Sequence, residues 1–425
     1  MNYEEALHFI HNTTKFGSKL GLTNIRELLE RLGNPHKSLK FIHVAGTNGK
    51  GSVTASLACV LLEAGYKVGR YTSPFIYDFN ERIAVNNRNI DNESLARITG
   101  TVADKCSEMV KDGFNHPTEF EVVTAVAMCN FSESKCDYVV LEVGLGGRLD
   151  ATNVIDAPLV SVIATIDFDH MEYLGNTITE ITYEKCGIIK EGSPVAIYCE
   201  QPKEALSEIL RQCNDLGCKA HIAKVPQIQN SGLRGSVFSY GRYKNVFIPL
   251  IGEHMVKNAS LALLTIDISK DMGVNIPDEA IYEGLYRVYW PARFEVVGDN
   301  PLMIMDGAHN ISGMTALSEA LKRFFPDKNV TLIMGMLRDK EYREALKIIT
   351  PCIKRIITVT VPSPRALPAD ELCACAKEFT KDVISVQSID DAMKKALDYD
   401  SCILAAGSLY MLADIKKAYD KANKK

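Results

Sequence analysis

The sequence lacks the features that mark membrane-spanning, secreted and nucleic-acid-binding proteins. No apolar run is long enough to cross a membrane, and the acidic start Met1-Asn2-Tyr3-Glu4-Glu5 has no signal-peptide core. Positive charge is not in excess, because 48 Lys and Arg residues face 53 Asp and Glu residues and the net charge is −5. Such a charge gives no electrostatic basis for binding nucleic acid. We therefore expect a cytoplasmic protein with neither nucleic-acid nor membrane partners.

The sequence also lacks any Cys-x-x-Cys pair, although it contains twelve cysteines. The closest spacings are Cys373/Cys375 and Cys213/Cys218. Several cysteines lie within apolar runs, namely Cys59, Cys129, Cys199 and Cys402. We expect reduced thiols that pack as small apolar side chains, rather than disulfides or a zinc site.

Strand-like and helix-like stretches alternate along all 425 residues, which predicts an α/β fold with a largely parallel sheet. A chain of this length is expected to form two domains, which we place at residues 1–297 and 298–425. The boundary falls where Gly298-Asp299-Asn300-Pro301 predicts a turn. In the first domain the predicted strands are 41–45, 68–71, 138–143, 159–165 and 194–198, and the predicted helices include 118–131 and 174–190.

Two further segments complete the predicted fold. The stretch 225–250 is rich in Gly, Ser and alternating residues, and it predicts a small antiparallel sheet. The second domain is predicted to be doubly wound. Its strands are expected at 302–306, 330–335, 355–361, 383–386 and 401–406, and its helices at 311–324, 340–349, 369–380, 389–398 and 409–422.

The most informative stretch is Phe41-Ile-His-Val-Ala-Gly-Thr-Asn-Gly-Lys-Gly-Ser52, an apolar run followed by a Gly-rich loop. Helical spacing of apolar residues from Val53 to Ala64 places a helix directly after the loop. A helix N-terminus favours anions, Lys50 can neutralise phosphate charge, and Ser52 can ligate Mg²⁺. The alternative is a structural strand–turn–helix in which the lysine is incidental.

Three further polar residues occupy positions suited to chemistry. Glu142 ends a buried strand near the loop, where it could bind a metal or pair with Arg148. His170 follows another apolar strand, and chemistry alone does not decide between a metal contact and a structural role. Lys185 lies near a helix end, where lysine is ordinarily a surface charge or the partner of an acid, although a neutral lysine can add CO₂ to form a carbamate.

In the second domain, polar residues follow two predicted strands. Asp306-Gly-Ala-His309-Asn310 ends the first strand, and Gly407-Ser408-Leu-Tyr410 follows the last. We expect both clusters to share one sheet edge, which suits a ligand site. For Ser408 taken alone, a helix N-cap is the simpler interpretation.

A series of motifs runs in order along nearly the whole chain. The motifs are Gly46–Ser52, Thr72–Phe75, Phe79–Ile83, Leu141–Asn153, Asp169-His170, Glu184–Lys190, Gly252–His254, Asn258-Ala259, Asp306–Asn310 and Gly407–Tyr410. Together they resemble the folylpolyglutamate synthase/dihydrofolate synthase family, which belongs to the Mur ligase superfamily of ATP-dependent amide-forming ligases. The resemblance implies an N-terminal P-loop ATPase domain with a mostly parallel sheet and a smaller C-terminal Rossmann-like domain.

The resemblance also implies cofactors and the residues that hold them. The cofactors are ATP and two Mg²⁺ ions, with a monovalent cation as a further expectation. Nucleotide contacts are implied for Thr47, Asn48, Gly49, Lys50, Gly51, Ser52, Asn258, Arg293 and Asp306. Metal contacts, direct or through water, are implied for Ser52, Ser73, Glu142, His170 and a carbamylated Lys185. The residues implied to be catalytic are Lys50, Lys185, His170 and Glu142.

The implied substrates are small molecules: a reduced folate or dihydropteroate, and L-glutamate. The pterin substrate is implied to lie near Thr118, Glu119, Phe120, Glu121, Leu149, Asp150 and Ala151, and glutamate to contact His309 and Ser408. The family also implies a monomer. The reaction would phosphorylate the folate carboxylate with ATP, and the glutamate amine would attack the resulting acyl phosphate.

Two other functions stay open at this point. One is a ligase of the same superfamily that joins an amino acid to a cell-wall precursor, and the other is a nucleotide-binding regulator without turnover. The stretch Leu141–Asn153 favours the folate branch, and the complete set of Lys50, Glu142, His170 and Lys185 favours an enzyme. The sequence does not decide between addition of the first glutamate to dihydropteroate, extension of glutamate chains, or both.

Overall fold

The computed structural model describes residues 1–13, 21–399 and 402–423. These residues form two compact units. The first comprises Met1–Gln227, Phe238–Ile248 and Met255–Val288, and the second comprises Ile228–Val237, Pro249–His254 and Tyr289–Lys425, as far as its end is described. The domain boundary predicted between residues 297 and 298 stays a prediction.

The first unit is built around an eight-stranded sheet. Its strands are β1 (Phe41–Ala45), β2 (Val68–Tyr71), β3 (Ile83–Val85), β4 (Arg88–Asn89), β5 (Tyr138–Glu142), β6 (Val160–Ile163), β7 (Val195–Ile197) and β8 (Ala220–Ile222). The strand order is β4-β3-β2-β5-β1-β6-β7-β8, and the six strands from β2 to β8 in that order pair in parallel. Every residue of β1, β5 and β6 is buried, as expected for the middle of a parallel sheet covered on both faces.

Ten helices of the described chain belong to this unit. They are α1 (Tyr3–Asn12), α2 (Thr23–Arg31), α3 (Lys50–Glu63), α4 (Asn92–Lys111), α5 (Glu119–Glu133), α6 (Met171–Leu174), α7 (Ile178–Cys186), α8 (Lys203–Asp215), α9 (Glu253–Asp271) and α10 (Asp278–Tyr286), of which α9 begins in the Pro249–His254 segment of the second unit. Buried residues on α3 run without interruption from Gly51 to Leu61, so this helix is enclosed on all sides. The residues at its start are therefore held by the core.

A three-stranded sheet interrupts the alternation of helices and strands. Its strands are β9 (Gln227–Gly232), β10 (Gly235–Tyr240) and β11 (Tyr243–Ile248), in the order β11-β10-β9. It occupies the segment 225–250, where the sequence predicted a separate small sheet.

The described part of the second unit has a six-stranded sheet with five helices. Its strands are β12 (Glu295–Asp299), β13 (Leu302–Met305), β14 (Val330–Met334), β15 (Arg355–Thr358), β16 (Val383–Ser385) and β17 (Cys402–Ala406), in the order β12-β13-β17-β14-β15-β16. The helices are α11 (Ile311–Phe324), α12 (Tyr342–Ile349), α13 (Ala369–Ala376), α14 (Ile389–Leu397) and α15 (Leu412–Asn423). All strands pair in parallel except β12, which pairs antiparallel with β13 and was not predicted as a strand.

The predicted fold class is confirmed, since both units are α/β with parallel-rich sheets. Nearly all predicted strands begin and end within two residues of the observed ones. Ser401, at the start of the last predicted strand, lies outside the described residues. Within the described ranges, every helix is too short or too polar to cross a membrane.

Candidate active site

The loop that follows β1 is the predicted phosphate-binding loop, and close packing requires two of its glycines. A Cβ on Gly46 would lie 2.8 Å from the Cβ of Ala164, nearer than side chains approach in folded proteins. Gly49 has a φ of +84° at the N-cap of α3, and a Cβ there would lie 2.7 Å from Asn258 Oδ1. Because side chains are excluded at both positions, the backbone of this loop stays open to a phosphate group.

The first half of the loop is fixed to the chain that leaves β6. The Thr47 N–H donates to the Thr165 carbonyl at 2.6 Å, and the Asn48 N–H donates to the same oxygen at 3.4 Å. The Thr47 hydroxyl donates to the Asp167 carbonyl at 2.9 Å and accepts from the Asp167 N–H at 3.0 Å. The loop is therefore held by the position of residues 165–167.

Two lysine side chains converge on one carbonyl oxygen of the loop. Lys50 Nζ donates to the Gly46 carbonyl at 3.0 Å and to the Thr47 carbonyl at 3.2 Å. Lys185 Nζ, which comes from α7, donates to the same Gly46 oxygen at 3.0 Å. The positive charge of Lys50 against this Gly-rich loop suits a polyanionic ligand.

Lys185 is an unusual lysine because it is only 4% exposed. Burial lowers its pKa from the usual 10.5 to about 7, and the neighbouring positive charge of Lys50 acts in the same direction. The carboxylates of Asp169 and Asp150 oppose the change. At neutral pH a substantial share of Lys185 is therefore the uncharged amine, which is the nucleophilic form.

The hydroxyl of Ser52 lies at the start of α3 with a defined orientation. It donates to the Gly49 carbonyl at 3.0 Å and accepts from Asn258 Nδ2 at 2.9 Å. One lone pair of the oxygen is left by these two bonds. Asn258, predicted as a nucleotide contact, is thus in direct contact with the loop.

Glu142 lies at the carboxyl end of β5, between β2 and β1, and only 3% of it is exposed. Its carboxylate accepts from the Ser73 N–H at 3.3 Å, so two of the predicted metal contacts lie together. Arg148, the alternative partner that the sequence left open for Glu142, instead pairs with Glu184 at 2.8 Å. A buried carboxylate and serine hydroxyls are hard oxygen donors of the kind that Mg²⁺ prefers.

The donor set fits Mg²⁺ better than a transition metal. Among the described residues, no group of three or more His, Cys, Asp and Glu side chains is placed to hold a metal ion. The predicted set is Ser52, Ser73, Glu142, His170 and a carbamylated Lys185, of which only Glu142 and His170 belong to those residue types. Oxygen donors of this kind leave room for water in the coordination shell, which is the usual condition of Mg²⁺ in proteins.

His170 is held in a constrained conformation beside Asp169. Its φ of +49° is left-handed, and its N–H donates to Asp169 Oδ1 at 3.0 Å. Its Nε2 lies 3.7 Å from Asp169 Oδ2, and about half of the side chain is exposed. A left-handed non-glycine residue is strained, and such strain is common at functional sites.

The glycine-rich loop after β5 packs against the end of α7 and thereby positions Lys185. A Cβ on Gly147 would lie 2.6 Å from the Lys185 carbonyl, and one on Gly187 would overlap the Cα of Arg148. The Arg148 N–H donates to the Glu184 carbonyl at 2.7 Å. Larger residues at either glycine would separate this loop from the helix that carries Lys185.

The predicted pterin residues at the start of α5 form a capping box. The Glu121 carboxylate accepts from both the N–H and the hydroxyl of Thr118, at 2.8 and 2.9 Å. The carboxylate of Glu119 lies near Arg82 and His11, and the Phe120 ring lies beside Gly144, where a Cβ would meet it at 2.5 Å. Thr118 and Glu121 therefore cap helix α5. Glu119 lies beside Arg82 and His11, and Phe120 lies beside Gly144.

Asp150, in the second predicted pterin segment with Leu149 and Ala151, is a buried cap. It accepts from the Leu145 N–H at 2.9 Å and from the Thr152 N–H at 3.0 Å, and burial raises its pKa. The Thr152 hydroxyl in turn lies 2.9 Å from His43 Nε2 on β1. This network joins the loop after β5 to the strand that carries the phosphate-binding loop.

Arg82 is a candidate substrate residue that the sequence placed only within a motif. Its guanidinium carbon lies 5.5 Å from the ring centre of Phe75 and 5.4 Å from that of Phe79. The side chain is 13% exposed, its Nε has no hydrogen-bond partner among the described residues, and the Glu119 carboxylate is 4.0 Å away. Phe75 follows Ser73 by two residues, so this aromatic–arginine cluster is close in sequence to the contact with Glu142. Stacking on two rings depends on tertiary packing and gives no sequence signal.

The polar residues of the second unit lie together, as predicted. The Asp306 carboxylate accepts from the N–H groups of Phe294 and Ala308, each at 2.7 Å, and burial raises its pKa while Arg293 opposes the change. The Gly407 N–H donates to the Ala308 carbonyl at 2.9 Å, which joins the ends of β13 and β17. The segment after β13 therefore lies beside the one after β17.

The two residues predicted to contact glutamate flank this junction. His309 Nδ1 lies 2.7 Å from the Gly307 carbonyl. Ser408 is an N-cap, as the simpler interpretation held, and its Oγ accepts from the Tyr410 N–H at 3.3 Å.

Two domain families match the chain. Residues 44–266 match the Mur ligase middle domain, and residues 292–409 match the glutamate ligase domain of Mur ligases. These matches and the site geometry define an ATP-dependent ligase of the Mur superfamily.

Similarity to individual proteins identifies the family within the Mur ligase superfamily. The chain is 38% identical over 428 residues to the dihydrofolate synthase/folylpolyglutamate synthase of Bacillus subtilis, covering 98% of each chain. It matches the crystal structure of folylpolyglutamate synthase from Thermotoga maritima with a TM-score of 0.87 and 34% identity, over 99% of this chain and 97% of that one. It matches Escherichia coli FolC in complex with DHPP and ADP with a TM-score of 0.87 and 28% identity, over 100% and 99% of the two chains. This chain belongs to the dihydrofolate synthase/folylpolyglutamate synthase family, and the resemblance found in its sequence is confirmed.

Proposed function

We propose that this protein joins L-glutamate to a reduced folate or to dihydropteroate, with ATP as the energy source. The observation that carries the proposal is that the Lys50 and Lys185 side chains both bond to the Gly46 carbonyl. This carbonyl belongs to a loop in which Gly46 and Gly49 have no room for a side chain. Relatives named dihydrofolate synthase/folylpolyglutamate synthase match over nearly the whole chain, and a solved neighbour holds DHPP and ADP. Both matches support folate glutamate ligation by this chain.

The chemical task explains why such a site is needed. A carboxylate is a poor electrophile, so its oxygen must first attack the terminal phosphorus of ATP, which releases ADP. The amine of glutamate then attacks the acyl carbon, and phosphate leaves as the amide forms. Lys50 and the loop N–H groups would offset the negative charge that gathers on the transferred phosphoryl group.

We propose Mg²⁺ as the metal, held directly or through water by Ser52, Ser73, Glu142, His170 and a carbamylated Lys185. When bound, Mg²⁺ supplies charge neutralisation at phosphate oxygens. The Asn258 amide keeps the Ser52 hydroxyl hydrogen on the Gly49 carbonyl, which leaves an oxygen lone pair for such a ligand. A second Mg²⁺, a monovalent cation and a monomeric state are expectations from the family.

We propose that Lys185 carries a carbamate. The uncharged amine of Lys185 would attack CO₂, form an N–C bond and lose one proton, giving a carboxylate at the end of the side chain. A pKa of about 7 supplies the uncharged amine at neutral pH, and the ammonium of Lys50 beside it would stabilise the anionic product.

We propose contacts for the pteroyl substrate, for glutamate and for the nucleotide. The pteroyl group is assigned to Thr118, Glu119, Phe120, Glu121, Leu149, Asp150 and Ala151, and we add the cluster of Arg82 with Phe75 and Phe79. Glutamate is assigned to His309 and Ser408. The nucleotide is assigned to Thr47, Asn48, Gly49, Lys50, Gly51, Ser52, Asn258, Arg293 and Asp306. The domain division at residue 297 belongs to the same proposal.

The proposed function is tested by ADP release with Mg-ATP and L-glutamate, with 7,8-dihydropteroate, tetrahydrofolate or no pteroyl compound. We expect release only when both glutamate and a pteroyl compound are present. Turnover on dihydropteroate would establish addition of the first glutamate, and turnover on tetrahydrofolate would establish extension. Turnover on neither would contradict the folate assignment and favour a cell-wall precursor ligase.

Replacing Arg82 with methionine tests the added substrate contact. Methionine keeps apolar contact with the rings of Phe75 and Phe79. It removes the positively charged guanidinium, which lies 4.0 Å from the Glu119 carboxylate. We expect the KM for the pteroyl substrate to rise about tenfold, with the KM for ATP within about twofold. Arg97→Met, which removes an exposed arginine paired with Glu133, is the matched control. Equal effects on both KM values would contradict a pteroyl contact.

A further inference from the structure

Gln201 makes two hydrogen bonds that take the place of strand pairing beyond the end of β7. Its Oε1 accepts from the Ile166 N–H at 3.0 Å, and its Nε2 donates to the Ala164 carbonyl at 2.6 Å. Strand β7 ends at Ile197, while the chain after β6 continues through residues 164–167, which contact the phosphate-binding loop. The side-chain amide therefore supplies the donor and acceptor that a neighbouring strand residue would supply.

Gln201 bonds to the segment 164–166, and the same segment fixes the position of the phosphate-binding loop. Ala164 packs beneath Gly46, and the Thr165 carbonyl accepts from the N–H groups of Thr47 and Asn48. Gln201 thus bonds to the residues on both sides of Thr165. A shift of this segment would move Gly46, whose carbonyl receives both lysines.

Neighbouring residues of the same turn add to the support. Tyr198 is buried, and its N–H donates to the carbonyl of Ile163, the last residue of β6, at 2.9 Å. The Glu200 carboxylate pairs with Lys257 Nζ at 2.7 Å, and the next residue along α9 is Asn258, which contacts Ser52. The turn from Tyr198 to Gln201 therefore contacts both the segment below the loop and the helix beside it.

We infer that Gln201 is a positioning residue for the phosphate-binding loop and that its amide sets nucleotide affinity without touching the nucleotide. The nucleotide part of the inference rests on the proposed function. Amide geometry is what the site requires, since one end must donate and the other must accept. A carboxylate in its place would present an oxygen lone pair to the Ala164 carbonyl, whereas a protonated carboxyl group would again donate there.

The experiment compares Gln201→Leu and Gln201→Glu with Gln212→Leu and Gln212→Glu. Gln212 lies on α8 in the same unit, and its side-chain amide donates to the Glu208 carboxylate at 2.9 Å, so it provides the same substitutions at a site away from the loop. Two quantities are measured: amide hydrogen exchange at Thr47 and Asn48 without ligand, and the Kd for Mg-ADP. For Gln201→Leu we expect exchange and Kd each to rise about tenfold, because two backbone groups lose their partners.

Gln201→Glu provides a test that simple destabilisation would not reproduce. Relative to wild type at each pH, its Kd and loop exchange should improve as pH falls and the carboxyl group protonates, while Gln201→Leu and both Gln212 variants stay flat. Wild-type exchange and Kd in Gln201→Leu, or no pH-dependent recovery in Gln201→Glu, would overturn the inference. If the wild-type protein bound no nucleotide, the proposed function would fail, while the ligand-free exchange would still decide whether Gln201 positions the loop.

Discussion

Replacing Lys185 with alanine is expected to lower the rate of glutamate addition about a thousandfold. The variant loses the buried amine whose Nζ lies 3.0 Å from the Gly46 carbonyl, and with it the proposed carbamate. Because the substitution leaves a space, a small carboxylate such as formate should restore part of the rate. The rate is measured as ADP release with saturating substrates, with and without added formate.

Lys190→Ala is the matched control for this variant. Lys190 follows α7 in the same segment, and burial also lowers its pKa, but its Nζ donates to the Asn153 carbonyl at 3.2 Å. We expect it to keep most of the activity and to gain nothing from formate. If Lys185→Ala were inactive and formate never restored it, the carbamate would lose its support, and a full rate in Lys185→Ala would exclude any catalytic part for Lys185.

The stability of Lys185→Met should also differ from wild type in a pH-dependent way when CO₂ is excluded. The folded pKa of about 7 lies below the unfolded value near 10.5, so the unfolded chain binds more protons between these values. Burial of Lys185 therefore costs stability in full below pH 7, and the cost fades as pH rises toward 10.5. At about 1.4 kcal/mol per pH unit the largest cost is on the order of 5 kcal/mol. Urea unfolding at pH 6 and pH 9 should show the larger gain for Lys185→Met at pH 6.

Replacing Glu142 with glutamine is expected to lower the rate by about a hundredfold to a thousandfold. Glutamine has nearly the same shape, and its carbonyl oxygen can still accept from the Ser73 N–H, so the fold should be kept. The substitution removes the negative charge of a carboxylate that is 3% exposed. The Mg²⁺ concentration that gives half the maximal rate should therefore rise, and a titration of rate against Mg²⁺ measures it.

Glu208→Gln controls for loss of a buried carboxylate in the same unit. Glu208 is 7% exposed and pairs with Arg211 on α8. We expect its Mg²⁺ dependence to match wild type. Should Glu142→Gln show the same Mg²⁺ requirement as wild type despite a lower rate, Glu142 would act on the reaction by a route other than the metal.

Local sequence patterns were sufficient for most of the fold. Continuous apolar runs such as Phe41–Ala45 and Tyr138–Glu142 predict strands buried on both faces, and the helical spacing after Ser52 predicts α3. Strand β12 was missed because its half-buried residues end in Gly298 and Asp299, which are typical of a turn. Its pairing with β13 depends on a partner that local pattern does not show.

The sequence by itself determined the class of chemistry, because the Gly-rich loop, the strand-end acids and the order of motifs each depend on residues near one another in the chain. Only the tertiary structure decided which distant groups act together. It brought Lys185 to the Gly46 carbonyl across 139 positions and Asn258 to Ser52 across 206. In the folded protein the Gln201 side chain also takes the position of a neighbouring strand residue, and the Arg82 guanidinium lies against the rings of Phe75 and Phe79. Such contacts follow from strand order and burial, and burial together with the neighbouring charge of Lys50 lowers the pKa of Lys185 to about 7.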